Sequence, residues 1–334
     1  MIAEKRYRLG GIEPDNLLGL LALLGLLRTI EAVDRIQPNS ESLYPRLAWD
    51  LDNPPIRPIL FLSKPLGRED LTQTVADGLS ILAKDYDFNG RKDLNYSRDE
   101  ARDFLKQTFE GANRSEHSYS DLTAALVTDA AIKNKKEEVI DPTPLCLLFG
   151  QGHQHFLDRL ASIPKEDAPP PRGRGKQARS ISASECISEA IFQPWHRNDP
   201  TFSLRWDPEE DVRYALMAGN PTDASYKSGT QHGANRLAAV GLAALTVAPE
   251  TRGGQVRPSI LGGKFGRRGE FSFAWPIWRD PASLASVRAL LGHPKLYDPN
   301  SLSHLSVDHV LVARRISVGK FMNFTRARIL EKSS

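Results

Sequence analysis

The chain has 334 residues, of which 40% are hydrophobic and 25% are charged, and its net charge at pH 7 is +3. This composition excludes a globally disordered chain, because it supplies enough apolar side chains for a core. Two isolated cysteines, Cys146 and Cys186, exclude a disulfide framework. The most apolar run, 17–27, is too short for a membrane span of ~20 residues. We therefore expect a soluble, cytoplasmic protein with no membrane partner.

Apolar periodicity and turn residues predict a helix-rich first half. The predicted helices are 17–33, 69–83, 97–109, 118–131 and 144–160, and the predicted strands are 7–9, 46–51 and 57–62. The helix over 17–33 is apolar nearly all round until Arg28, which is typical of a helix buried in a core.

A change of composition divides the chain after residue 163. The segment 164–184 is rich in proline, glycine and basic residues and has few apolar side chains, which predicts a flexible basic linker or loop. It would separate a helix-rich N-terminal domain, residues 1–163, from a basic C-terminal domain, residues 185–334.

The second half alternates between strand and helix patterns. The predicted strands are 201–206, 211–217, 255–261, 270–275 and 307–316, with a continuation over 320–328, and the predicted helices are 234–245 and 283–291. The glycine-rich segment 262–269 is expected to join 255–261 to 270–275 as a hairpin. Together these patterns predict an α+β fold with a mainly antiparallel sheet in the C-terminal half.

Positive charge is concentrated in the last quarter of the chain. Residues 1–162 contain 20 Lys/Arg and 25 Asp/Glu, whereas residues 251–334 contain 14 and 5. Two stretches, 252–269 and 310–330, have no acidic residue at all. Basic loops of this kind follow the phosphates of nucleic acids. The candidate nucleic-acid-binding residues in these stretches are Lys264, Arg267, Arg268, Arg314, Arg315, Lys320, Asn323 and Arg326.

A second candidate anion site lies at the start of the predicted helix 234–245. Exposed N–H groups at a helix start bind anions, and Arg236 in the first turn is unfavourable there unless an anion is present. This adds Asn235 and Arg236 to the candidate nucleic-acid contacts. A simple helix cap with a surface arginine is an equally good interpretation.

Aromatic residues are interleaved with these basic stretches. The alternation of Phe271, Phe273 and Trp275 indicates side chains that face a core, so we do not assign them to base stacking.

Catalytic motifs are absent from the sequence. It contains no G-x-S-x-G, Walker, H-E-x-x-H or G-x-G-x-x-G pattern, so we expect no enzyme, no catalytic residue and no cofactor. Residues 85–90 open like an EF-hand loop, but position twelve is Tyr96, so we expect no metal. A metal-dependent nuclease that uses His153, His155 and scattered carboxylates is an alternative, because such sites need no local motif.

Four segments resemble a known family. They are 9–18 (LGGIEPDNLL), 23–28 (LLGLLR), 229–237 (GTQHGANRL) and 273–278 (FAWPIW), and they are similar to segments of the large-subunit proteins of type I-G (formerly I-U) CRISPR effector complexes. The resemblance implies a non-catalytic subunit of a Cascade-like, RNA-guided surveillance complex that reads a short motif beside its DNA target. The implied partners are guide RNA, target double-stranded DNA, a repeated backbone subunit and other complex subunits, and a helicase–nuclease.

In such a complex base pairing reads the sequence, and the protein needs only a few base contacts. Asn235, Arg267, Arg268 and Asn323 are our candidates for those contacts. A purely structural subunit, which would meet protein partners through its acidic first half, is a further alternative.

Overall fold

A computed structural model describes residues 5–38, 41–112, 117–134, 136, 138–148, 155–173, 175–210, 229–318 and 321–331. It confirms the α+β fold class. The α-helices of the described residues are α1 (Leu17–Ile36), α2 (Arg68–Leu82), α3 (Arg98–Gly111), α4 (Ser118–Leu126), α5 (Phe156–Ser162), α6 (Ala183–Phe192), α7 (His232–Gly241) and α8 (Leu284–Leu291).

The strands are antiparallel throughout the described residues. They are β1 (Lys5–Arg8), β2 (Arg46–Asp50), β3 (Arg57–Leu62), β4 (Ile132–Asn134), β5 (Val139–Ile140), β6 (Val247–Arg252), β7 (Gln255–Ile260), β8 (Gly263–Phe265), β9 (Phe271–Trp278), β10 (Val307–Val318), β11 (Phe321–Phe324) and β12 (Arg328–Ile329). One sheet has the order β1-β3-β2, and a five-stranded sheet has the order β11-β10-β9-β8 with β12 also paired to β10. Strands β4–β5 and β6–β7 form two separate ribbons.

Helix α1 is the centre of the core. It is buried along almost its whole length, and it packs against α2 and α7. The side chain of Asn16 caps its start, because Oδ1 accepts the N–H of Leu18 at 2.9 Å. The position of this helix was predictable, since a helix that is apolar on all sides has to be surrounded by other elements.

The hydrophobic core is continuous across the predicted domain boundary. Leucines of α1, from the first half, and apolar residues of α7, from the second half, belong to one buried cluster together with Phe273 and Trp275 of β9. The division at 163–185 into two domains stays a prediction, but the two halves share this core. None of the described helices is long and apolar enough to cross a membrane.

The segment 164–184 makes specific contacts where it is described. Residues Ile163–Lys165 form a 3₁₀ turn, and Arg172 exchanges backbone hydrogen bonds with Arg179. The Arg172 guanidinium also binds Glu189 at 2.7 Å and Asp199 at 2.8 Å. The sequence predicts a flexible linker here because apolar side chains are scarce, whereas the described residues are held by charged hydrogen bonds.

The hairpin predicted between 255–261 and 270–275 is wrong. Strand β7 pairs instead with β6, through a turn in which Gly253 and Gly254 have φ values of 58° and 76°. Two consecutive residues with positive φ form the tight turn that suits a two-residue hairpin. Strand β9 pairs with β8, which lies inside the segment that we expected to be the connecting loop.

Three other predicted elements also differ from the structure. Of the predicted helix 144–160, only 156–160 is helical in the described residues, as the start of α5, and the helix predicted over 118–131 ends at Leu126. No strand forms over the described residues 201–206, which run as irregular chain with a bend at Arg205; residues 203–206 are buried next to one another, so they lack the alternation of a strand, and Phe202 is exposed. The predicted strand 211–217 lies outside the described residues.

Candidate nucleic-acid interface

A row of polar side chains crosses the five-stranded sheet. Lys264 of β8 pairs with Ser272 of β9, and Ser272 pairs in turn with Arg314 of β10. Paired residues on adjacent strands point to the same face, so Lys264 and Arg314 share a face. Both side chains are exposed. With a strand spacing of ~4.8 Å, their backbones lie about 10 Å apart.

Two more cations lie on the turn between β8 and β9. Arg267 and Arg268 are exposed, and the turn is closed by a hydrogen bond from the N–H of Gly266 to the carbonyl of Glu270. The Glu270 carboxylate also accepts the backbone N–H of Arg268 at 3.0 Å. This turn therefore holds both arginines at one end of the sheet, next to Lys264.

Lys264, Arg267, Arg268 and Arg314 form what we call the basic surface. Within the described ranges, none of these four side chains forms a salt bridge. By contrast, Arg172, Arg197 and Arg326 all bind carboxylates. Exposed cations without acidic partners attract an external anion more strongly than paired ones do.

Two arginines of the β6–β7 ribbon, Arg252 and Arg257, flank the basic surface and were not predicted from the sequence. The Arg252 guanidinium donates to the carbonyl of Phe265, and the Arg257 guanidinium lies 5.2 Å from the centroid of the Phe265 ring. Arg257 also touches the turn after β8, since a Cβ at Gly269 would lie 2.8 Å from its guanidinium. Both residues belong to the acid-free stretch 252–269, which was the sequence feature that could have identified them.

Arg315 lies on the opposite face of the sheet from Arg314. It is half-buried, 5.2 Å from the centroid of the Phe271 ring, and it donates to the carbonyl of Pro144 at 3.0 Å. Burial lowers the pKa of this guanidinium, although arginine stays cationic in proteins. Nearby Asp141 is half-buried, and loss of water raises its pKa. Arg315 therefore packs against the opposite face of the sheet and does not belong to the basic surface.

The predicted anion site at the start of α7 has to be corrected. Asn235 is 1% exposed and Arg236 is 0% exposed. The Arg236 guanidinium donates to the carbonyl of Pro164 at 3.0 Å and to the carboxylate of Asp167 at 2.7 Å. These groups from the segment 164–184 take the place of the anion that we expected. Asn235 and Arg236 are internal contacts, so we remove them from the nucleic-acid interface.

Two further candidates are corrected for a similar reason. Asn323 is 5% exposed, and its side-chain oxygen accepts the N–H of Phe324 at 2.7 Å. Arg326 binds Glu13 at 2.8 Å and Asp15 at 2.9 Å, and it also binds Glu209. Its charge is thus compensated by three carboxylates that are distant in sequence. Lys320 lies outside the described residues.

The alternative metal site can be described only in part. His155 Nδ1 is 2.7 Å from Asp93 Oδ2, and His153 lies outside the described residues. Among the described residues, no group of three or more His, Cys, Asp or Glu side chains is placed to hold a metal ion. Both cysteines are buried, and burial raises the pKa of the Cys186 thiol to about 12. The geometry therefore gives no support to a nuclease centre in this part of the chain.

The segments on which the family resemblance rests meet in the core. The indole N–H of Trp275 donates to the carbonyl of Pro14 at 2.9 Å, which joins the segments 273–278 and 9–18. The indole N–H of Trp278 donates to the carbonyl of Leu47 at 2.7 Å. Helix α7, which contains most of the segment 229–237, packs along α1. The resemblance is therefore to residues that build the fold, and the basic surface lies outside it.

Comparison of the chain with protein-family models, with curated proteins and with solved structures finds no match.

Proposed function

We propose that this protein binds nucleic acid through its basic surface. The observation that supports this is the presence of four exposed cations on one end of a sheet, without a salt bridge among the described residues. Lysine and arginine bind phosphates largely without regard to sequence, and each contact releases condensed counterions. Arg252 and Arg257 add positive charge beside it.

The finer proposal is a non-catalytic subunit of an RNA-guided CRISPR surveillance complex. It is supported by the resemblance of four segments to the type I-G large subunits. In that role the protein binds guide RNA and target DNA, reads the motif beside the target, and helps to recruit the helicase–nuclease. Of the candidates for base contacts, Arg267 and Arg268 remain on the surface, and arginine pairs well with guanine in the major groove.

Two measurements test the two levels of this proposal separately. Fluorescence anisotropy with labelled duplex DNA and with RNA, over a series of salt concentrations, tests nucleic-acid binding itself. We expect binding whose affinity falls steeply with salt. Purification of the tagged protein from its host tests the complex, and we expect RNA of uniform length together with a repeated partner subunit. Salt-independent or absent binding would overturn the first level, and recovery of the protein without RNA would overturn the second.

A further inference from the structure

A cleft of about 340 Å³ opens beside the basic surface. It lies between the β6–β7 ribbon, strand β8 and the segment 291–297, and Lys264 lines it as well as the basic surface. A strand of nucleic acid held on the basic surface would therefore pass the mouth of this cleft. Its volume is at the lower end of the range for small-molecule sites, roughly 300–1,000 Å³.

The inner part of the cleft is apolar. Ile260, Leu291 and Leu296 line it and are almost fully buried. Tyr297 forms part of the wall, and its hydroxyl donates to the carbonyls of Gly262 and Ser272, which holds the ring in place. A cleft of this size, with apolar residues among those that line it, suits a planar ring.

Two charged groups lie where a nucleotide would need them. Glu250 lines the cleft on the same face of the ribbon as Ala248, and it forms no salt bridge with any described residue. A carboxylate accepts hydrogen bonds from the exocyclic amino group of a base. The Lys264 ammonium lies 4.9 Å from the centroid of the Tyr297 ring, where it can also reach a phosphate.

We infer that the cleft binds one unpaired nucleobase that carries an exocyclic amino group. Glu250 accepts a hydrogen bond from that amino group, the apolar inner part contacts the ring, and Lys264 binds the adjacent phosphate. This inference rests on the proposed function, because the basic surface has to hold the strand that presents the base. It adds selectivity for cytosine, adenine or guanine over thymine and uracil, which have no exocyclic amino group.

The inference is tested with single-stranded oligonucleotides of equal length and the full chain. Oligo-dC and oligo-dA should bind on the order of tenfold more tightly than oligo-dT at the same salt concentration, since one matched base contact discriminates by roughly this factor or more. An oligonucleotide with abasic sites should bind no more tightly than oligo-dT. The same comparison with oligo-rC and oligo-rU tests whether the preference extends to RNA.

Variants separate the cleft from the basic surface. Ser259→Phe narrows the cleft from β7, and Glu250→Leu removes the acceptor, so each should abolish the preference for oligo-dC and leave the salt dependence unchanged. Ala248→Trp, at an exposed position of β6, blocks the cleft from the other strand and replaces Ser259→Phe if that variant does not fold.

The possible negative results distinguish failure of the base-binding cleft from failure of the proposed function. Salt-dependent binding with equal affinity for oligo-dC, oligo-dA and oligo-dT would overturn the base-binding cleft and leave the proposed function in place. If the parent protein shows no salt-dependent binding to any of these oligonucleotides, both the base-binding cleft and the proposed function are overturned. Cytidine monophosphate that binds as tightly as oligo-dC would also overturn the inference, because the cleft would then be a site for free nucleotides.

Discussion

Gly25 of α1 lies directly against the backbone of Leu237 of α7. A Cβ at Gly25 would stand 1.8 Å from the carbonyl oxygen of Leu237, and a Cβ at Gly241 would stand 1.9 Å from the carbonyl oxygen of Leu21. The two helices are therefore in backbone contact at both places. Gly25 and Leu237 belong to two of the segments that resemble a known family. The close contact of the two helices gives the physical reason for a glycine at position 25.

Replacing Gly25 by alanine should strongly destabilise the fold. The obstructing atom is a backbone carbonyl, so the helices would have to separate. Gly111→Ala, at the last residue of α3, is the control, because a Cβ there meets no atom of the described residues within 4 Å, and it should stabilise by about 0.4–1 kcal/mol by restricting the unfolded chain. Urea denaturation followed by circular dichroism measures both. A Gly25→Ala protein with the midpoint of the parent would contradict the observed packing.

Simultaneous replacement of Lys264, Arg267 and Arg268 by alanine should weaken the binding of duplex DNA. The slope of log affinity against log salt should fall by about 0.9 for each phosphate that the variant no longer neutralises. The matched control replaces Arg98, Arg102 and Lys106, three exposed cations of α3, and should leave the slope unchanged. An equal change in both triple variants would show that net charge matters and that this surface does not.

Arg236→Met should lower stability and leave nucleic-acid affinity unchanged. The substitution removes the donors to the carbonyls of Pro164 and Asp167, and the buried Pro164 carbonyl left without a donor costs about 1–3 kcal/mol, whereas Asp167 is exposed and can be hydrated. Arg236→Lys, which keeps one cationic donor, should lose less. Thermal melting and anisotropy on the same samples check the two effects. Weaker binding at unchanged stability would restore Arg236 as a nucleic-acid contact.

Stability should decrease as the pH rises through about 8, because of Glu210. Burial, together with the nearby carboxylate of Asp207, raises the pKa of Glu210 to about 8. Within the described residues, the buried Oδ1 of Asn235 has no donor, while its Nδ2 lies 3.4 Å from Glu210 Oε1. The same Nδ2 donates to the carbonyl of Gln231 at 3.1 Å, which fixes the amide in this orientation, so burial beside Asp207 is what favours the protonated form of Glu210.

The sign of this effect follows from the direction of the shift. The folded-state pKa lies above the unfolded value, so the stabilisation is complete below the unfolded pKa and is lost as the pH rises through the folded one. Between these values the slope should approach ~1.4 kcal/mol per pH unit. Glu210→Gln should remove this component in denaturation curves from pH 5 to about 9. Identical slopes for the variant and the parent would refute a protonated Glu210.

Much of the fold was predictable from local patterns. The helices over 17–33, 69–83, 97–109 and 283–291 were placed within a few residues of their observed bounds, as were the strands over 46–51 and 57–62. Apolar periodicity and capping residues depend on positions that are only a few residues apart, so they can be recognised from the sequence alone. The hairpin was predicted wrongly because local patterns do not show which strands pair. Glycine-rich turns lie on both sides of the strand 255–261, and either turn could have joined it to a neighbouring strand.

Local sequence patterns were sufficient to predict the fold class, the apolar core helix and the concentration of positive charge in the last quarter. Which of the candidate nucleic-acid-binding cations lack a carboxylate partner depends on the tertiary structure. Arg236 is bound by Asp167, and Arg326 is bound by Glu13, Asp15 and Glu209. Lys264 and Arg314 instead come together across the sheet. Charge composition is a sum over residues, whereas the pairing of each charge depends on which distant segments the core brings within a few ångströms.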